Sequence, residues 1–433
     1  MKPFLRAVHL WTGLVFGLIL VLQGLSGAAL SWIHELDAML NPGLLQVAPP
    51  PGLRAGAPLR VQPSQVQAVH DALAVDARFG KPNMLMLPER AGDVYVAWYR
   101  PGKPDSAWKQ GVTRQVMVDP ATLAVLGERN WGEAGLSRPL LMPTLFHLHR
   151  YLLAGEAGKV VIAVQGVALV LMTLTGIVIW WPRMTLAAIG NALKVRFGGS
   201  WPRFSFQLHR SAGFFCAPVL LFLGFSGVHF NMPEWVAPLI GAVAPVTPNG
   251  KPVNRRAPGL PQLAVADAVA AAQARFPEAR VGRVNFPAGP AQPFEVRLRQ
   301  PGELRQGPGA TRVSIDARDG AVLRVADPLR GQAGDRFVAA LFPLHSGEAF
   351  GAAGKAFISF MGLTPLAFFV TGIVVWLKFR RKPKNKNKGN APAVRARQRE
   401  ASPASGLQPQ ATTAGVPCAS SAVQASAGSG LLM

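Results

Sequence analysis

Long apolar runs dominate the chain and set its class. Four of them, roughly over 10–33, 159–181, 212–232 and 356–377, reach the ~20 residues that a bilayer-spanning helix needs. None holds Asp, Glu, Lys or Arg at its centre. The first follows Lys2 and Arg6, as a signal peptide would. Its run is nevertheless longer than the ~7–15 apolar residues of a signal, and it ends in Ser31-Trp32-Ile33, an interfacial finish. It reads as a retained span. Between the spans the period changes. Residues 64–79 and 262–276 place apolar side chains at helical spacing. Alternating, strand-like runs follow each: 94–102, 115–120 and 124–127 in the first connection, 294–302, 312–316 and 320–323 in the second. The pattern predicts a membrane protein of four transmembrane α-helices that carries two small α+β modules of ~100 residues.

These elements recur in order. His9 and His209 lie 200 residues apart and open H-L-W-T-G…G-L-S-G and H-R-S-A-G…G-F-S-G, so Gly27 matches Gly227. His149 and His345 lie 196 apart and open L-H…G-K…T-G-I-V-(I/V)-W in both cases. Lys159 thus matches Lys355, Gly176 matches Gly372 and Trp180 matches Trp376. Strand run 94–102 aligns with 294–302. The chain reads as a tandem duplication with two spans per copy. The copies then share one orientation, related by a pseudo-two-fold axis along the membrane normal. The expected segments are 1–33 (first span), 34–146 (first outward module), 147–181 (histidine segment and second span) and 182–208 (basic loop). They continue with 209–232 (third span), 233–344 (second module), 345–377 (histidine segment and fourth span) and 378–433 (basic tail).

Composition agrees: 49% of residues are hydrophobic and 15% charged. The net charge of +23 suggests nucleic acid until it is located. The 182–210 connection holds Arg183, Lys194, Arg196, Arg203 and Arg210 with no acid, and K-F-R-R-K-P-K-N-K-N-K follows residue 377. By the positive-inside rule these segments and both termini are cytoplasmic, and the long connections face outward. The charge records topology and attraction to lipid head groups, not a nucleic-acid partner. Residues 383–433, rich in Ala, Ser, Gly, Pro and Gln, read as a disordered cytoplasmic tail. The two cysteines, Cys216 and Cys418, form no C-x-x-C-H haem attachment and no iron–sulfur or zinc cluster.

The organisation resembles the PepSY-associated transmembrane (PepSY-TM) family over essentially 1–380. The resemblance rests on H-x-W-x-G at His9–Gly13, the two L-H…G-K…T-G-I-V-(I/V)-W segments, and the helix-then-strand modules ending V-x-(V/I)-D…G. Members include ferrisiderophore reductases of the bacterial inner membrane. The resemblance therefore implies periplasmic PepSY-like modules, two haem b groups, and an oxidoreductase that reduces a ferric siderophore from Fe3+ to Fe2+ for iron uptake. It leaves the electron donor open between a quinol and a cytoplasmic flavin or nicotinamide system.

The histidines carry the candidate chemistry. Topology puts His9 and His209 at the inner face on equivalent helices, and two neutral imidazoles from opposite sides are what a six-coordinate haem iron requires. A single histidine at a span end ordinarily snorkels among head groups, but matched placement in both copies favours ligation. His149 and His345, on the outward side, offer a second such pair. His229 lies 20 residues beyond His209, ~30 Å along a helix, and so also reaches the outward face. Its counterpart is Ala29, and that of His147 is Pro343. Both break the symmetry and stand as alternative outer ligands or substrate contacts. Gly13, Gly17, Gly24, Gly27, Gly213, Gly224 and Gly227 permit either close helix packing or room for a flat macrocycle. His34 and His70 read as interfacial and surface residues, and Trp11, Trp32, Trp180, Trp181 and Trp376 as interface anchors. No catalytic constellation is present; the arginines over 275–336 offer electrostatic attraction for an anionic chelate, but, interleaved with acids, they read as a solvated face. The competing functions are a non-redox sensor or peptidase-regulating protein, since PepSY-like domains also occur in protease propeptides, and a transporter. The spans lack the midplane ionisable residues that a transporter would use.

Overall fold

The computed structural model describes residues 2–380 except 101, 103, 105, 183, 198, 249, 251 and 256–260. The tail expected from 383 onward lies outside the described residues. The chain begins with α1 (Lys2–Leu30), α2 (Ile33–Leu40), α3 (Pro42–Leu45) and α4 (Pro63–Val75). Strands β1 (Met84–Met86), β2 (Tyr95–Tyr99), β3 (Thr113–Val118) and β4 (Val125–Trp131) follow, then α5 (Arg138–Tyr151) and α6 (Gly155–Trp180). After α7 (Leu186–Leu193) the same order returns. It runs α8 (Trp201–Asn231), α9 (Pro233–Val243), α10 (Val265–Arg275), β5 (Arg280–Asn285), β6 (Phe294–Arg299), β7 (Thr311–Ile315), β8 (Val322–Ala326), α11 (Ala333–His345) and α12 (Gly351–Arg380).

Helices α1, α6, α8 and α12 are long and apolar enough to cross a membrane. They form a ring in which α1 and α8 each pack on α6 and α12, leaving α1 and α8 on a diagonal. The helices are longer than the apolar runs. In α8 the polar stretch from Trp201 stays helical because Pro202 sits in the first turn, where its missing N–H costs nothing, so His209 lies inside a helix and not at its start. Glycines make two of the four crossings. A Cβ on Gly24 of α1 would strike the Gly362 carbonyl oxygen of α12, and one on Gly166 of α6 would come 2.7 Å from Val228 of α8. These glycines serve close packing. Apolar side chains such as Trp11, Val15, Leu18 and Phe360 remain exposed on the outside of the ring, the face a bilayer would cover.

The strands form one antiparallel sheet, ordered β4-β3-β2-β1-β5-β6-β7-β8. The expected pair of separate modules is thus corrected: β1 pairs with β5, Leu85 opposite Val284, and fuses them. Helices α4 and α10 pack against each other and cover one face, over a core that includes Val69, Leu85, Tyr95, Val269, Phe294 and Ile315. Sheet register corrects a second expectation. Tyr95 pairs with Val118 and Phe294 with Ile315, each of the latter preceding the turn aspartates Asp119 and Asp316. Tyr95 therefore corresponds to Phe294, one residue off the alignment of 94–102 with 294–302. A one-residue slip turns every side chain to the other face, and the true register sets Trp98 where the second half has Arg297. Among the described residues, a buried ion pair of this kind is found in the first half alone: Arg129 on β4 grips Asp37 on α2, the helix that follows α1, at 2.8 and 2.9 Å. Ala237 and Ala326 stand near the corresponding places.

Candidate functional site

Two short helices, α5 and α11, sit between the sheet and the bundle and carry His149 and His345. Each is cut from the span that follows by residues in the left-handed backbone region. Gly155 has φ +56°, and a Cβ there would lie 2.5 Å from the Lys109 carbonyl oxygen; Gly347 has φ +79°. The bends turn both histidines back over the bundle. Their ring centres lie 6.5 Å apart at an interplanar angle of 70°. Far from the sheet, His9 on α1 and His209 on α8 meet across the bundle diagonal, 6.2 Å apart at 80°. The four histidines thus form a sheet-proximal and a sheet-distal pair, whose anchoring residues on α1, Ser26 and His9, are separated by about 25 Å of helix.

A serine or threonine holds each ring. The His9 Nδ1 lies 3.1 Å from Thr175 Oγ1 and 3.0 Å from the Met172 carbonyl; the His209 Nδ1 lies 3.0 Å from Thr371 Oγ1. The His149 Nδ1 meets Ser26 Oγ and the Gln23 carbonyl, both at 3.1 Å, and the His345 Nδ1 meets Ser226 Oγ at 2.7 Å. Every one of these hydroxyls already commits its single proton one turn back along its own helix. Thr175 donates to Leu171 at 2.8 Å, and Thr371, Ser26 and Ser226 donate to Ala367, Leu22 and Phe222 at 2.7 Å. The Met172 and Gln23 carbonyls can only accept, which assigns the hydrogen of His9 and His149 to Nδ1 and leaves Nε2 its lone pair; the back-bonded hydroxyls favour the same tautomer at His209 and His345. Burial pushes His149 down to about 4 and His345 to about 3, keeping both rings neutral.

Glycine follows each of these hydroxyl residues, and at three of the four it leaves space for the ring. A Cβ on Gly176 would come 3.3 Å from His9, one on Gly372 3.6 Å from His209, and one on Gly27 2.9 Å from His149. Space for an imidazole, as well as helix packing, therefore explains the repeated glycines. The donor set suits a metal held between paired imidazoles. Bonds of about 2 Å and ring radii of about 1.15 Å, fixed by ring bonds near 1.35 Å, set the ring centres of two opposed ligands about 6.3 Å apart. Both pairs match that separation. Hydrogen-bonded Nδ1 is also the usual support for an Nε2 ligand. Among the described residues, no group of three or more His, Cys, Asp or Glu side chains forms a metal-binding cluster.

A match to the model of the PepSY-associated TM region runs over residues 6–378. The chain belongs to this family. No curated protein matches it.

The four histidines expected to act in pairs are brought together in this family member, and the two alternatives are not. His147 is buried on α5, with Nδ1 donating to the Pro143 carbonyl at 2.8 Å and its ring stacked on Tyr151. His229 lies on α8 beside Phe230. Both rings line the cavity between sheet and bundle, and neither pairs with another histidine among the described residues. The partly covered His70 packs on Phe286 and meets Asp71, and His34 lines the cavity. That cavity has a volume of about 1740 Å³ and reaches from His149 and His345 to the sheet's uncovered face. The arginines there correct the expectation of a solvated face. Arg283 and Arg297 are four-fifths covered, and burial, then neighbouring arginines, brings them down to about 10 and about 9. Sequence reasoning missed Ser26, Thr175, Ser226 and Thr371; the signal was present as a hydroxyl residue before each repeated glycine.

Proposed function

We propose that the chain is a di-haem electron-transfer protein of the bacterial inner membrane, built by tandem duplication, which reduces a ferric siderophore on the sheet side. The reading rests on one observation: four imidazoles meet in two pairs with ring centres 6.2 and 6.5 Å apart, near the separation of two opposed ligands on one metal. His9 and His209 would hold the inner haem b, and His149 and His345 the outer one. A haem held by two histidines takes up and passes on single electrons and has no open position for oxygen. The chain's own residues fix the rings. Ser26, Thr175, Ser226 and Thr371 hold the Nδ1 atoms, and Gly27, Gly176 and Gly372 admit the imidazoles. The apolar bundle keeps the path dry. The sheet modules are periplasmic, with both termini cytoplasmic, where a quinol or a reduced flavin or nicotinamide system supplies the electron. Iron leaves its chelator because Fe2+, with less charge than Fe3+, is held less tightly by hard oxygen donors.

The test is optical. Full-length protein from haem-replete cells should carry two haems per chain, with low-spin spectra in both redox states. His209→Ala should remove one and leave the other. A purified, folded protein without Soret absorption would overturn the reading.

A further inference from the structure

The cavity wall nearest the sheet-proximal pair differs between the halves. On the second half, register sets Arg283 opposite Arg297 and Arg297 opposite Arg312, a row of three guanidinium groups across β5, β6 and β7. Arg305 lies with its guanidinium carbon 4.0 Å from the centre of the Phe342 ring, one helical turn before His345. Arg100 adds a fifth cation to the same cavity. Few acids answer them. Glu295 lies 3.6 Å from Arg283 and 3.5 Å from Arg297, and also accepts from Asn285 at 2.9 Å. Glu348 stands near Arg305 but accepts from the Gln306 amide. Glu303 is spent on Ala310 and Thr311, Asp327 on Gln300, and Asp335 on Thr247. Like charges directly opposite in a sheet destabilise it, and covering guanidinium groups adds desolvation. The Nε atoms of Arg283 and Arg305 are buried with no hydrogen-bond partner among the described residues. An anion in the cavity would relieve both costs. Beside the row in the same sheet, β1 and β2 of the first half bring Met84, Met86 and Trp98 to the cavity, an apolar stretch with Arg100 at its end.

We infer that this chamber binds the carboxylate groups of a polycarboxylate ferric chelate, with Arg283, Arg297 and Arg312 taking the carboxylates and Arg305 flanking them beside His345. The identity of the metal cargo rests on the proposed function; the anion site stands on the arginines alone. Carboxylates could come from two sources, the chelate or the propionate groups of an outer haem, and the inference commits to the chelate.

Gallium(III) citrate separates these sources because gallium is not reduced, so binding is read without electron transfer. Titrated onto full-length, haem-loaded protein in detergent, it should bind, and weaken as salt rises. Arg297→Gln should weaken it about tenfold or more, the loss of a charge-assisted bond, while the haem spectrum stays unchanged. Arg78→Gln, an equal charge change on an exposed ion pair away from the cavity, should leave it alone. Should Arg297→Gln not fold, Arg312→Gln at the exposed end of the row carries the same expectation. No binding, binding indifferent to both variants, or loss of haem from Arg297→Gln would overturn the inference. If the chain takes up no haem, the proposed function fails, and the same titration on haem-free protein still decides this site.

Discussion

The bundle core and the cavity wall above it treat the two halves of the chain in opposite ways. In the core, equivalent positions carry equivalent groups: His9 and His209, His149 and His345, Thr175 and Thr371, Ser26 and Ser226. At the wall, Trp98 stands where the other half has Arg297, and β1 brings Met86 against Arg283. A pair of opposed ligands on one axis needs the same reach from both sides, so symmetry is the geometry of the site. A chamber for an asymmetric molecule has no such need, and charge on one side with apolar surface on the other can orient what enters. The half-specific ion pair of Asp37 with Arg129 belongs with the wall, since it fixes the sheet over the bundle on one flank.

The sharpest way to break this comparison is to cut the sheet-proximal pair from each side in turn. His149→Ala and His345→Ala should have the same result: haem content falls from two to one, and the sheet-distal low-spin spectrum survives. A variant that kept both haems would transfer the ligand role elsewhere, with His229 or His147 next in line. Unequal losses would mean that His149 and His345 are not equivalent ligands.

Glycine crossings give the next largest effect, and there the halves should part. A Cβ at Gly24 runs into the backbone oxygen of Gly362, which cannot swing aside. At Gly224 the neighbours are the Val170 methyl at 3.0 Å and the Gly166 oxygen at 3.2 Å. Gly24→Ala should cost about 3 kcal/mol by overpacking. Gly224→Ala should stay within about 1 kcal/mol, because the helix-propensity gain offsets a milder clash. Thermal unfolding in detergent, followed by far-UV circular dichroism, checks the difference.

Sequence alone reached the spans and the four paired histidines, because apolar length and repeated spacing are local signals that survive without contacts. It missed what depends on pairing at a distance. Strand β1 is three residues long, and beyond its neighbour β2 it pairs with β5, some two hundred residues on. The arginine row is invisible as a run, since Arg283, Arg297 and Arg312 sit on separate strands and meet only in register. Aligning 94–102 with 294–302 slips the second strand by one residue and hides the exchange of Trp98 for Arg297. Helices α5 and α11 escaped because each is short, mixes polar with apolar residues, and is cut off by left-handed residues that only the fold requires.

The smallest predicted effect lies within the symmetric core and asks how complete its symmetry is. His149 has two acceptors for its Nδ1 hydrogen, Ser26 Oγ and the Gln23 carbonyl, whereas Ser226 Oγ is the acceptor found for His345 among the described residues. Removing Ser226 leaves a buried N–H without a partner and a ring free to change tautomer or rotate. Removing Ser26 leaves the carbonyl in place. Loss of such a supporting hydrogen bond typically weakens a metal site by about 10–100-fold. Ser226→Ala should therefore speed haem transfer to an apoprotein acceptor about tenfold, and Ser26→Ala should change it little. Equal rates would show that the carbonyl of Gln23 contributes nothing and that the hydroxyls alone set both rings. A reversed order would place the weaker support on α5 and remove the reason for a second acceptor there.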